Sequence, residues 1–192
     1  MMTAAQFIEA INKLPFEDRT EGLLKEISTL HFGEEAVCVT TQKLDLDTDG
    51  GADPGILWDK THQSDTSLHW PKGSPVDSNA TKFVVIPGKG WGQRHGIRCG
   101  DVGLATIHGA DKVVEVIVAD IGPANKIGEA SLAFFREFGE ERVINRRIKD
   151  VGIDKPFIML LFRHSGDGEC HNNADNKAKA WQRFTKLQGL KS

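Results

Sequence analysis

Val113–Ser131, VVEVIVADIGPANKIGEAS, is the stretch from which the rest of the chain can be read. Its first half, Val113 to Ala119, is apolar and β-branched, and such side chains fit a pleated, buried strand. Asp120 ends that run. Gly122-Pro123-Ala124-Asn125-Lys126 cannot continue a strand, because Gly, Pro and Asn mark a turn. After Ile127-Gly128 comes Glu129, and Ala130 to Phe138 reads as a helix. One carboxylate is therefore expected at a strand end and another, nine positions on, at a helix start. A tight loop between them brings both to one cleft, where two carboxyls can act as general acid and general base on an acetal. The plainer reading is a turn-forming Asp and a Glu complementing a helix dipole.

Working outward, Val102–Ile107 is a strand that should hairpin onto Val113–Ala119. Phe83–Ile86 and Phe157–Phe162 read as buried strands, and Val37–Thr41 opens the β-rich part. Leu44-Asp45-Leu46-Asp47 alternates apolar and acidic, the pattern of a half-buried strand. Ile56–Trp58 is a further short strand. Gly90–Gly96 is too glycine-rich to be regular and reads as a loop. Phe7, Ile8, Ile11 and Leu14 recur at helical spacing and Pro15 closes them. Leu23, Leu24, Ile27 and Leu30 suggest a second helix over Asp18–Leu30, and Ala174–Leu187 a closing one. Residues 1–33 are thus expected to form a helical extension, and 34–192 the main domain. Many short strands with Gly/Pro turns argue for a β-rich α+β chain rather than alternating βαβ units. The expected architecture is a compact six-stranded β-barrel of double-psi type with the terminal helices packed outside, by fold analogy and from the Gly100–Gly103 turn.

The chain has 192 residues, 39% hydrophobic, enough for one domain with a proper core. A net charge of −3 argues against a general nucleic-acid binder. No apolar run approaches the ~18 residues of a membrane span. Cys38, Cys99 and Cys170 are widely spaced and form no C-x-x-C, which disfavours structural zinc. No residue pattern demands a cofactor.

ADIGPANKIGEAS resembles the Asp-bearing strand and Gly-Glu-Ala-Ser run of the fungal-type chitosanases, glycoside hydrolase family 75. LDLDTDGG (Leu44–Gly51), QSDTSL (Gln63–Leu68) and DSNATKFVVIPG (Asp77–Gly88) resemble that family's other patches, in the same order. The resemblance implies hydrolysis of β-1,4-linked glucosamine polymer with inversion, with Asp120 and Glu129 as the catalytic pair. It also implies substrate contacts from Asp45, Asp47, Asp49, Gln63, Thr66 and Asn125, and chitosan or glucosamine oligosaccharide as the partner. The N-terminus shows neither a basic n-region nor an apolar h-region, so it reads as no signal peptide, unlike the secreted fungal enzymes.

Which carboxyl donates the proton stays open in the sequence. An Asp among apolar residues suits the acid, and a Glu at a helix N-terminus suits the base; the resemblance implies the reverse. Asp45, Asp47 and Asp49 share one face if the strand persists, and such a row needs a positive partner. A polyamine's ammonium groups would serve, and so would Ca²⁺. An EF-hand is excluded, since its twelfth position is Ile56 where Glu is needed and no helix precedes Asp45. Trp58, Trp70 and Trp91 are candidate sugar platforms or packed side chains. His164, Asp167, Glu169, Cys170 and His171 match no clean ligand spacing. Arg94, His95 and Arg98 suggest an anion site or a solvated loop. Two functions follow: an inverting endo-chitosanase, or a non-catalytic carbohydrate- or calcium-binding barrel.

Overall fold

The computed structural model describes residues 2–21, 28–50, 62–145 and 147–189, with 18–21 described by backbone alone. The expected strand at Ile56–Trp58, and Trp58 itself, lie outside the described residues. The chain opens with helix α1 (Ala4–Asn12), capped by Thr3 and Gln6 in a reciprocal capping box. Strands β1 (Asp18–Glu21), β2 (Ser28–Phe32), β3 (Ala36–Thr41), β4 (Leu44–Asp47) and β5 (Phe83–Pro87) follow. Next come α2 (Trp91–His95), β6 (Val102–Ile107), β7 (Val114–Gly122), β8 (Glu129–Ser131) and α3 (Leu132–Glu137). The last part holds β9 (Val143–Ile144), β10 (Arg147–Ile148), β11 (Gly152–Ile153), β12 (Phe157–Phe162) and α4 (Asn173–Gly189).

This is a β-rich α+β protein. One ten-stranded sheet runs β1-β2-β3-β12-β6-β7-β5-β8-β4-β11, and β9 pairs with β10 apart from it. Among the described residues no pairing joins β1 to β11. The expected hairpin is present: β6 pairs antiparallel with β7, Val102 opposite Ile117. The pairs β5·β7 and β4·β8 are parallel, and β5·β8 is antiparallel.

Strand β12 shows why its sequence is an unbroken apolar run. Phe157, Met159 and Leu161 face a core shared with Val84, Val116 and Phe134. Ile158, Leu160 and Phe162 face a second core, where α1 supplies Phe7 and Ile11 and α4 supplies Phe184 and Leu187. A strand covered on both faces has no polar side to alternate with. The first core also draws Val37 and Val39 from β3 and Leu44 and Ala130 from β4 and β8. Strands far apart in the sheet order thus meet over one core.

Two expectations are corrected. The described ends of the expected helix Asp18–Leu30 are strands instead, since β1 and β2 pair antiparallel and β2 continues onto β3; Leu23, Leu24 and Ile27 lie outside the described residues. The ladder from Ser28–Phe32 to Ala36–Thr40 satisfies backbone groups that the apolar spacing alone assigns to a helix. Gly90–Gly96 contains α2, and Trp91 there is buried in the first core rather than offered to a sugar.

Candidate active site

Four strands set the site. Val85 on β5 pairs with Asp120 of β7 on one side and with Glu129 of β8 on the other. Glu129 in turn pairs with Asp45 of β4. Side chains in register share a face of the sheet, so Asp120, Val85, Glu129 and Asp45 form one row across it. Two strand spacings put the Cα atoms of Asp120 and Glu129 about 9–10 Å apart. A bulge aims Asp120 into this row: Val84 pairs with Val118 but Val85 with Asp120, leaving Ala119 as the extra residue.

Strand β7 therefore runs past Asp120 to Gly122, and Glu129 stands in a short strand rather than at a helix start. The helix begins at Leu132, with Ser131 as its cap accepting from the Phe134 N–H. The intervening turn is tight. A Cβ at Gly122 would lie 3.1 Å from Val85 Cγ1 and 3.2 Å from Glu129 Oε2, so the missing side chain leaves the Glu129 carboxyl its room.

The row opens into a cleft of about 240 Å³, lined among others by Asp47, Asp49, Gln63, Asp120, Lys126 and Glu129. Larger cavities lie elsewhere, such as one of about 520 Å³ beside Trp181, but it carries no comparable carboxylate set.

Each carboxylate is held differently. Asp120 Oδ1 accepts from both the Ser67 backbone N–H (2.9 Å) and the Ser67 hydroxyl (2.6 Å). Glu129 Oε1 accepts from Lys126 Nζ at 2.6 Å, and the same ammonium lies 3.4 Å from Asp45 Oδ2. Burial works against the Lys126 charge, but the hydrogen bond and charge of Glu129, with Asp45, outweigh it and hold the pKa above its ordinary value. Asp47 is buried and accepts from the Asp49 N–H at 2.7 Å. Burial pushes its pKa up to about 8; the Asp49 N–H opposes this, and the charges of Asp49, Asp120 and Glu129 add to it. Asp49 accepts from the Gln63 N–H at 2.7 Å. Carboxylate oxygens of Asp47, Asp49 and Asp120 lie within 4.8 Å of one another, a spacing that a cation would fit.

Of the residues implied in the sequence, Asp120, Glu129, Asp47, Asp49 and Gln63 line the cleft, and Asp45 stands beside it in the row. Strand β4 ends at Asp47, so Asp49 belongs to the following turn. Thr66 is buried, its hydroxyl donating to Leu68 O and accepting from the Val76 N–H, which spends it on the backbone. Asn125 is exposed on the turn and does not line the cleft. Trp70 packs on a third core with Phe83 and Val85. Arg94 and Arg98 donate to backbone carbonyls of Lys89 and Gly166. Asp167 pairs with His171, and the Asp47–Asp49–Asp120 group is the sole metal-competent cluster among the described residues.

Three features escape a reading by residue type: the Ser67 clamp on Asp120, the Lys126 bridge and the burial of Asp47. Only Lys126 carries a sequence signal, sitting three residues before Glu129. No family model matches the chain, and no curated protein matches it.

Proposed function

We propose that the protein is an inverting endo-chitosanase, hydrolysing β-1,4 linkages between glucosamine units with Asp120 and Glu129 as its acid/base pair. The observation that carries this is the row Asp120–Val85–Glu129, which sets two carboxyls on one face across a single intervening strand. Inverting pairs need about 6.5–9.5 Å between carboxyls to admit a water, against about 5–5.5 Å in retaining ones. A spacing of two strands suits the wider class.

The surroundings support one assignment. Two hydrogen bonds from Ser67 fix the orientation of the Asp120 carboxyl, as a general base requires. Asp120 then takes a proton from water as the water oxygen attacks C1, and Glu129 gives its proton to the departing glycosidic oxygen. This agrees with the role that the motif resemblance implies for Glu129. The placement of Glu129 in a strand removes the helix-dipole argument for the opposite roles. The acidic lining supports a cationic amino-sugar polymer as substrate. The double-psi barrel belongs to the same proposal; the parallel pairs β5·β7 and β4·β8, flanking the antiparallel β5·β8, support it.

A second reading is a non-catalytic, cation-binding module, favoured by the clustering of Asp47, Asp49 and Asp120. A reducing-end assay on soluble chitosan separates the two. Asp120→Asn and Glu129→Gln should each lose at least about 10²-fold in turnover while keeping the wild-type melting temperature. Wild-type-like turnover in either folded variant would sink the catalytic assignment. A melting temperature that falls with EDTA and recovers with Ca²⁺ would favour the second reading.

A further inference from the structure

We propose that Lys126 is a positioning residue that acts as a placeholder cation: in the empty cleft its ammonium occupies the place of a substrate ammonium between Glu129 and Asp45. The proposal rests on the chitosanase reading and deepens it.

Lys126 Nζ is 2.6 Å from Glu129 Oε1 and 3.4 Å from Asp45 Oδ2. It lines the cleft with Asp47, Asp49, Asp120 and Glu129, and among the described lining residues it is the one lysine or arginine. Asp45 has a second cation, Lys43 at 3.2 Å, so it is not left bare when Lys126 moves away. The Lys126 side chain is 41% exposed, whereas those of Glu129 and Asp45 are 12% and 16% exposed. The lysine is thus the partner with freedom to swing out, and the carboxylates are the fixed ones.

Two consequences follow. Without substrate, the Lys126 bridge offsets repulsion between the Glu129 and Asp45 carboxylates and fixes the Glu129 side chain. An incoming glucosamine ammonium, with Asp45 to receive it, takes over the pairing and lets Lys126 leave. A neutral N-acetyl group cannot make that exchange. Discrimination then arises from displacing an internal cation as well as from the acidic lining.

The test uses Lys126→Met, which keeps the length and removes the charge, with Lys126→Arg as the charge-preserving control. Calorimetry of a glucosamine tetramer is run in an Asp120→Asn background, which leaves the Lys126–Glu129 pair intact. The methionine variant should bind the tetramer several-fold tighter at low salt, with the gain shrinking as salt rises. Binding of the N-acetylated tetramer should not change. In the active background Lys126→Met should lower KM for chitosan several-fold while changing kcat far less, and Lys126→Arg should restore KM. Equal tetramer affinity with and without Lys126 would overturn the placeholder role while leaving the chitosanase reading intact. Failure of the tetramer to bind either protein would overturn the substrate class, and the placeholder role with it.

Discussion

At Asp47 the end of β4 takes a carboxyl out of water, leaving the residue 8% exposed and its carboxyl accepting from the Asp49 N–H. Its pKa is raised from 3.8 to about 8 by burial first and by neighbouring carboxylates next. The unfolded chain ionises this group from about pH 4, while the folded chain keeps it protonated until about pH 8. Stability is therefore undiminished by Asp47 below the lower value. It is lost as pH rises between the two, up to a bound of roughly 5–6 kcal/mol. Asp47→Asn keeps an oxygen for the Asp49 N–H and removes the titration. It should raise the melting temperature by at least about 5 °C at pH 9 and by little near pH 4. Equal gains at both pH values, read by thermal unfolding, would refute the linkage. The alternation Leu44-Asp45-Leu46-Asp47 makes the strand legible in sequence, yet not that Asp47 is covered, because the cover comes from residues distant along the chain. The Asp120/Glu129 pair is legible from residue type, turn chemistry and motif. The Ser67 clamp is not, since Ser67 and Asp120 meet across 53 positions of chain.

Element by element, what matters is how β7 turns into β8. Strand, turn and helix are all legible between Val113 and Phe138, but β8 is not. Three residues are too few to show a period, and Glu129-Ala130 suits a helix as well as a strand. Pairing with both β4 and β5 decides the matter. The same kind of override turns Asp18–Glu21 and Ser28–Phe32 into an antiparallel pair. Gly128 fixes the approach to β8. Its φ is 98°, and a Cβ there would lie 2.9 Å from Thr41 Oγ1 and 3.0 Å from Lys43 O. Gly128→Ala thus meets both backbone strain and a wedge between the turn and the β3–β4 link. A cost of about 2–3 kcal/mol in urea unfolding is expected. Gly73→Ala is the control, because Gly73 also has positive φ (84°) but nothing within 4 Å of its Cβ. It should cost about 1 kcal/mol. If the two cost the same, the close approach at Gly128 contributes nothing.

For the molecule as a whole, 27 acidic against 24 basic side chains is nearly balanced, so overall charge does not select a substrate. Locally the acidic side chains gather: Asp47, Asp49, Asp120 and Glu129 line one cleft, with Asp45 next in the row. A polymer carrying ammonium groups compensates such a lining, and its acetylated form does not. Turnover should therefore be much faster on chitosan than on chitin, and the preference should narrow as ionic strength rises, because exposed charge pairing is screened. Asp45→Asn and Asp49→Asn should each raise KM for chitosan more than they lower kcat, since the proposed role of these side chains is to bind charge and not to transfer a proton. Stereochemistry tests the other half of the arrangement. In the proposed inverting mechanism, with the two carboxyls on opposite sides of Val85, a water would stand between Asp120 and the sugar, and one displacement would convert a β-linkage into an α-product. Proton NMR of early hydrolysis reads the anomer before mutarotation. An α-signal at the first time points is expected. A β-signal would require a nucleophile in covalent reach of C1, which a separation of two strands opposes. Equal rates on chitin and chitosan would leave the inverting pair standing and remove the charge recognition assigned to Asp45 and Asp49.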